Sequence, residues 1–502
     1  MNVSYMKNIS FSFMSLIFSK IIGGLSSFLI AKTLQPANYG LLTTMTLVAS
    51  YCAILSFGTV EALVKQFPYY KGKGEPDMAS RLESTVLASV VITSICVLVL
   101  GCALTLLVGS SQTVLHTMTI MMLVLAASIS SPSSFYYYRF LAHQDFKTAG
   151  ILDALRSFLN LTLVVSFSYL WGLTGATTGF CLTELTLFVI SFIVSSRSHG
   201  SVMPLFDYRA IWNTIVIGFP ITVFWWIFMI QASVDRLVSI SVLGKTPTGY
   251  YVLGISIVSI VMLFPQSISR VLYPKINEKL GATSQETDLF RIVMVPTRFM
   301  NLVFSGVVGV LVIFMPIAYH LLPKYLPGLV SGQILLLMCI FRLSLTNAIN
   351  FLIANNRQYL ICFFVIASLC VGFIASYGAA RLGLGIDGLA ASTCISGLLL
   401  SFLIWQVVFK SMGFLPLGQL IEIGKLHAPC IVMLLAVGTV MLISPQSQAE
   451  SCLVLIGRAA IFILLFCGGL FILPLTRQWV VEILGILRGT PVTPAGQALA
   501  IH

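Results

Sequence analysis

Lys20 stands in the middle of an apolar run that extends from Ile9 to Ala31, and Glu184, Asp235, Arg236, Arg342 and Arg458 also lie within long apolar stretches. An ionisable group at the centre of a bilayer costs roughly 2.5–3.5 kcal/mol on insertion scales, so such groups usually face a water-filled cavity or a partner. Lys20 runs beside a stripe of Asn8, Ser12, Ser15, Ser19, Gly23 and Ser26, whose steps of three or four put them on one helical face. Small residues at that spacing also serve helix packing, but packing does not explain a lysine. Arginine holds phosphate through a bidentate fork and lysine as a point charge. Lys20 and Arg342 are therefore the candidates for binding an anion inside the membrane. Arg139, Arg156, Arg270 and Arg298 sit at helix ends, where they would draw an anion in from the cytoplasmic mouth or snorkel to lipid headgroups. Glu184, Asp235 and Glu61 are the candidates for carrying a proton or another cation. A carboxylate that titrates during transport must be partly buried and must meet water from each side in turn. Glu184 fits by depth; a neutralising pair with Arg236 is the competing role for Asp235, and a buried pair or a hydrogen bond to serine is the structural alternative for both.

The elements that position these residues are about fourteen apolar runs, each long enough to cross a bilayer. They begin near Ile9, Leu41, Leu82, Val114, Ala149, Gly175, Trp212, Gly249, Ile292, Val330, Tyr359, Gly385, Leu426 and Cys452. At 1.5 Å per residue, roughly 20 apolar residues span the hydrocarbon core. No connecting segment exceeds roughly 20 residues, fewer than the ~50 of a small independent domain. The pattern specifies an all-α integral membrane protein whose work is moving something across the membrane, with no soluble catalytic module.

Composition agrees. The chain is 58% hydrophobic and 9% charged, with a mean hydropathy of +0.99, where a soluble protein carries about a quarter charged residues. Its net charge of +12 does not mark a nucleic-acid binder, because the cations alternate by loop as the positive-inside rule requires. With a cytoplasmic N-terminus, about twenty Lys and Arg fall on the cytoplasmic side and about five on the other. Both termini are then cytoplasmic. Residues 1–31 are too long for an ordinary signal sequence and carry Lys20 centrally, so they read as a permanent span. Eleven cysteines are scattered singly without a C-x-x-C pair, and six histidines show no metal-ligand spacing. There is no metal site, phosphate-cradling glycine loop, catalytic triad or cofactor motif to read.

A repeat at an offset of about 209 residues divides the chain. Leu34-Gln-Pro-Ala-Asn-Tyr-Gly40 aligns with Leu243-Gly-Lys-Thr-Pro-Thr-Gly249. Each is an outer turn that opens an apolar run, Leu41–Phe57 or Tyr250–Gln266, and each run leads to a basic cytoplasmic loop. The first such loop is Phe67 to Arg81. Six spans separate the copies, an even number, so the repeat is parallel, about an axis along the membrane normal. Residues 1–200 form one six-helix lobe, 201–411 a second in pseudo-twofold relation, and 412–502 two additional transmembrane helices and a cytoplasmic tail. Glu61 and Arg270 occupy equivalent positions at this offset, where opposite charges could pair between lobes.

Ala31-Lys-Thr-Leu-Gln-Pro-Ala-Asn-Tyr-Gly40-Leu resembles the first outer turn of bacterial polysaccharide flippases, the O-antigen repeat-unit exporters of the multidrug/oligosaccharidyl-lipid/polysaccharide superfamily. Gly218-Phe-Pro220, Asp235-Arg236, Gly249-Tyr-Tyr251 and Leu272-Tyr-Pro274 are similar to its second-lobe pattern. The resemblance covers nearly the whole chain; it departs at Lys32, where arginine is usual, and at Gln35, where glycine is usual. It implies a V-shaped pair of six-helix lobes around a central cavity, working by alternating access. The implied cargo is an undecaprenyl-pyrophosphate-linked oligosaccharide, a lipid-linked repeat unit for O-antigen, lipopolysaccharide or capsule. It would be flipped from the cytoplasmic to the periplasmic leaflet of the bacterial inner membrane. H+ or Na+ would be the counter-ion of an antiporter, and a polysaccharide polymerase and a chain-length regulator would be neighbours. Lipid II flippases and multidrug exporters share the superfamily, and the two helices beyond twelve argue against the drug exporters. A membrane-embedded glycan polymerase or ligase is the alternative of another class. It would be expected to carry a large outer loop, and the longest outer segment here is on the order of ten residues.

Overall fold

The computed structural model describes residues 3–109, 114–262, 286–355, 357–444, 452–474, 476 and 478–479. Arg270 and the second basic cytoplasmic loop around Lys275 and Lys279 lie outside the described residues. The described chain is helical with short turns. It runs α1 (Val3–Tyr51), α2 (Thr59–Lys73), α3 (Pro76–Gly109), α4 (Val114–Ala142), α5 (Phe146–Leu159), α6 (Val165–His199), α7 (Tyr208–Gln231), α8 (Val234–Val238) and α9 (Lys245–Val261). It continues with α10 (Glu286–His320), α11 (Leu329–Leu343), α12 (Leu345–Ala354), α13 (Gln358–Arg381), α14 (Gly385–Ser411), α15 (Pro416–Ile443) and α16 (Cys452–Ile472). Among the described residues, ten helical stretches are long and apolar enough to cross a membrane. Their outward faces are apolar: Leu104 and Leu107 of α3 and Leu435 and Leu442 of α15 lie exposed, and such surface needs lipid rather than water around it. This is a multi-pass membrane protein.

The helices group into two compact units, Met1–Ile260 with Phe373–Leu389, and Val261–Gly372 with Ala390–His502. In the first unit the order of packing follows from contacts at helix ends. Thr59 with Ser89, and Leu55 O with Thr93, set α2 antiparallel to α3. Gly101 against Val124 and Glu83 against Arg139 set α3 antiparallel to α4. Thr119 with Thr174, and Arg139 with Ser195, run α4 parallel to the second half of α6.

Two expectations change. The segment from Phe67 is not a loop: α2 continues to Lys73, because Val60, Leu63 and Phe67 form a face that packs onto Leu82, Val86 and Val90 of α3. Glu61 is consequently in the first turn of a helix instead of at the end of one. The apolar stretch from Ile215 to Leu243 is also interrupted. α7 stops at Gln231, and Asp235 belongs to the short α8 beyond the break. There the Ser233 hydroxyl bonds back to the Met229 carbonyl and shares a hydrogen bond with Tyr51, competing with the regular helical ladder.

The 209-residue offset reappears as contact geometry. A Cβ on Gly40 would collide with the Lys245 carbonyl, and a Cβ on Gly249 with the Pro36 carbonyl. Gly40 and Gly249 are repeat equivalents, and so are Pro36 and Lys245; one contact has been made twice. Likewise Tyr51 meets Ser233, and their counterparts Ile260 and Gly24 touch each other through the Ile260 side chain. Reciprocal pairs of this kind are what a twofold relation generates, and Gly40 against Gly249 lies on its axis.

In the second unit, α10 is the centre. Gly306 and Gly309 admit the Phe466 and Phe462 rings of α16 against its backbone, and Asn301 donates to the Leu426 carbonyl of α15 at 2.8 Å. The two C-terminal helices are thus packed into that unit, with Phe462 wholly buried.

Local chemistry starts and bends the elements. Asp207 caps α7 by accepting from the Arg209 and Ala210 N–H groups, and its other oxygen accepts from Arg81 at 2.8 Å. The Ala210 N–H, then Arg81, hold the Asp207 carboxyl below its ordinary value. A depressed carboxyl contributes stability in full above the ordinary range and loses it as pH falls through the lowered value. Asp207→Asn should therefore flatten the acid limb of a stability–pH profile below about pH 4. At the outer turn, Gln35 has φ 63° and ψ 167°, a region that glycine occupies without penalty. Gln35→Gly should raise stability by about 1 kcal/mol, read as a higher unfolding temperature in detergent; a lower one would show that the Gln35 side chain contributes more than the strain costs.

Candidate functional site

α5 begins at Asp145, whose side chain accepts the Thr148 N–H at 3.1 Å. Asp153, Arg156 and Asn160 follow at steps of three and four on one face, while Ile151 and Phe158, 45% and 51% exposed, hold the opposite, lipid-compatible face. A wide turn at Asn160–Val164 carries α5 into α6; such π-type turns are frequent at functional positions. The helix then breaks at Trp171 and Gly172, where Gly172 has φ 58°, and the rest of α6 returns antiparallel. Gly179 seats against the Leu163 and Val164 backbone, and in that register Glu184 reaches Arg156. Arg156 Nη1 donates to Glu184 Oε1 at 2.7 Å. Glu184 is 1% exposed and its Oε2 has no hydrogen-bond partner, whereas the Arg156 side chain is 40% exposed. The Asn160 Oδ1 is likewise buried and unpartnered.

Lys20 is carried by α1. Thr33 of α1 and Ser168 of α6 share a 2.8 Å hydrogen bond across 135 residues. If the first part of α1 runs parallel to α5, that offset brings Lys20 near the level of Arg156. Lys20 is exposed. Tyr137 donates to Asp153 Oδ2 at 3.0 Å, and Tyr138 lies within electrostatic reach of both Asp153 and Glu61. Glu61 is half-buried with an unpartnered Oε2. Among these ionisable groups of the first unit, Lys20 and Arg156 stand against Glu61, Asp153 and Glu184, so the set is not cationic overall.

Arg139 is placed differently from its expected role. It is 1% exposed. Its Nε and Nη2 hold the Glu83 carboxylate at 3.0 and 3.1 Å, and the remaining donors go to Ser195 Oγ and the Gly200 and His199 carbonyls. All its donors are used, leaving none for an anion in this conformation. His143 joins through Glu83 at 2.7 Å and stacks on His199, with ring centroids 4.1 Å apart. Asp235, 4% exposed, accepts from Tyr251 Oη at 2.6 Å and from the Arg236 N–H at 2.8 Å. In the second unit, Arg342 lies in the last turn of α11, its stem beside Gly397 of α14. Arg298 lies over the Trp479 ring at 5.2 Å, a cation–π contact. Arg458 is buried and donates to Ser444.

Arg156, expected at a cytoplasmic helix end, is the partner of Glu184; the spacing of Asp153, Arg156 and Asn160 was the signal available for it. No local pattern links Glu83 to Arg139, residues that far apart.

A family model described as polysaccharide biosynthesis protein matches residues 5–279, more than half of the chain. The chain belongs to that family. No curated protein sequence matches it at a significant level. Among solved structures it is similar to the lipid II flippase MurJ in an inward closed conformation, with a TM-score of 0.70 and 16% identity over 92% of this chain and 98% of that one. It is also similar to an inward-facing multidrug resistance MATE transporter, with a TM-score of 0.67 and 14% identity over 78% and 94%. A superfamily transporter from Pyrococcus furiosus, whose binding pocket is described as having reversed polarity, matches with a TM-score of 0.58 and 15% identity over 82% and 96%. At these identities the likeness is one of fold, an all-α membrane transporter fold.

Removing one member of a buried ion pair leaves its partner charged and unsatisfied. Arg139→Ala should destabilise the protein by roughly 3–5 kcal/mol, and Arg139→Ala with Glu83→Ala should recover part of the loss. Equal unfolding temperatures for wild type and Arg139→Ala would show the pair to be dispensable.

Proposed function

We propose that the protein flips undecaprenyl-pyrophosphate-linked oligosaccharide repeat units from the cytoplasmic to the periplasmic leaflet of the bacterial inner membrane, feeding O-antigen or capsule synthesis. Membership of the polysaccharide biosynthesis family carries this reading. The chain supplies what such a cargo needs. A sugar headgroup with a pyrophosphate cannot cross hydrocarbon unaided, because each unpaired polar group costs several kcal/mol there. Lys20 and Arg156 in the first unit, with Arg342 in the second, are fixed cations that would replace lost solvation while the prenyl tail stays in lipid. Arg298 and Arg270 would draw the headgroup in. An inside-negative potential favours outward movement of a net negative headgroup by ~2.3 kcal/mol per charge per 100 mV. Both termini are cytoplasmic in this reading, the six-helix lobes alternate access, and Glu184, Asp235 or Glu61 carries the coupling ion.

Lipid II is the second reading, favoured by the fold-level likeness to a lipid II flippase. The two cargoes differ in the sugars beyond the pyrophosphate, so cells distinguish them. Lys20→Ala or Arg342→Ala should abolish surface glycan at normal protein levels. Growth arrest with intact surface glycan on depletion would favour lipid II instead, and polymer formation by the purified protein in liposomes would favour a polymerase.

A further inference from the structure

We propose that Arg156 is the phosphate-binding group of the first unit and that Glu184 fills it in the empty state, so that an anion enters only as Glu184 takes up a proton. This rests on the anionic cargo argued above and adds the device that admits it, with the proton taken up together with the anion and not exchanged for it as in an antiporter.

Two arginines of one helical unit show the contrast. Arg139 is saturated and closed off, with every donor used. Arg156 spends a single Nη1 donor on Glu184 among the described residues, and its side chain is 40% exposed. An arginine with unused donors and a partly exposed side chain is a half-made anion site, because its fork is built to hold two oxygens at once. Lys20, exposed on α1, supplies a second positive charge without competing for the fork.

Glu184 is the group that must yield. It is 1% exposed, its Oε2 has no donor, and Arg156 is the cation that compensates it. A phosphate that captured the guanidinium would leave a buried carboxylate alone, beside a second anion. Such a carboxylate neutralises by binding a proton instead of remaining charged. Proton uptake and anion entry are then one event: the O–H bond forms on Glu184 as its hydrogen bond from Arg156 Nη1 breaks, and phosphate oxygens accept the freed donors. The surrounding groups do not substitute for Glu184. Asp153 is already held by Tyr137. Tyr138 of α4 lies within electrostatic reach of Asp153 and of Glu61 on α2, Cys181 lies a turn from Glu184 on α6, and Lys20 on α1 carries the wrong sign to act as the proton acceptor. Glu83, His143 and His199 are tied to Arg139 in a separate cluster.

The test uses the full-length protein in lipid nanodiscs with inorganic sulfate, which stays a dianion between about pH 5 and pH 8, so that any pH dependence belongs to the protein. With one proton taken up per anion, wild-type affinity should fall about tenfold per pH unit above the titration of Glu184. Calorimetry in two buffers of different ionisation enthalpy should report the uptake directly. Glu184→Gln should bind sulfate with a flat pH profile and no proton uptake, and Arg156→Ala should lose binding at every pH. Arg156→Lys should bind more weakly while keeping the slope. Unfolding temperatures and size-exclusion profiles matching wild type identify variants that are folded. An unchanged pH slope in Glu184→Gln, or wild-type binding in Arg156→Ala, overturns the proposal. Binding by wild type that is independent of pH but lost in Arg156→Ala overturns the coupling alone and leaves the anionic cargo standing. No sulfate binding by wild type overturns both.

Discussion

In hydrocarbon there is no solvent to correct an error: each backbone amide and each charge must find its partner inside the protein. That constraint decides the architecture before any detail of function. It makes the described chain helical, keeps breaks in the helices at places where side chains take over the hydrogen bonding, and removes any option for a charge other than a partner or water. The break after Gln231 obeys it, with Ser233 bonding to the Met229 carbonyl and Tyr51.

The same constraint sorts the charges into two kinds. Glu83, Arg139, His143 and His199 form a closed cluster in which one arginine joins three helices, and its members are withdrawn from any ligand. The Arg156–Glu184 pair is open on the arginine side and closed on the carboxylate side. A closed cluster holds helices together. An open one can exchange its partner, and the difference lies in exposure and in the number of donors left over, not in residue type.

Close approach is the other organising feature. Gly40 and Gly249 allow the two copies of the repeat to touch through their backbones, and the reciprocal contacts of Tyr51 with Ser233 and Gly24 with Ile260 bind the copies on either side of that point. Any side chain at the axis would push the helices apart by more than neighbouring residues could absorb, since the colliding atoms are backbone. The strain at Gln35, one residue before the turn enters this contact, is the local consequence of making a tight reversal with a residue that carries a Cβ.

Much of this was legible in the residues. Hydropathy alone fixed the class, because a run of some twenty apolar residues has few fates other than a membrane helix, and the 209-residue offset announced a parallel repeat whose equivalent residues do meet. Gly40, Gly249 and Gln35 were visible as turn residues, and Lys20 and Glu184 as charges at depth. Sequence could not say which charges pair. Arg139 and Arg156 look alike as arginines on neighbouring spans, and only the register of α5 against α6 and of α3 against α4 makes one a closed structural joint and the other an open site. That register comes from helix contacts between residues tens of positions apart, set by small residues such as Gly179 and by helix ends such as Gly172. Periodicity within a helix shows which residues share a face; which face meets which, and at what height, is decided by packing in three dimensions.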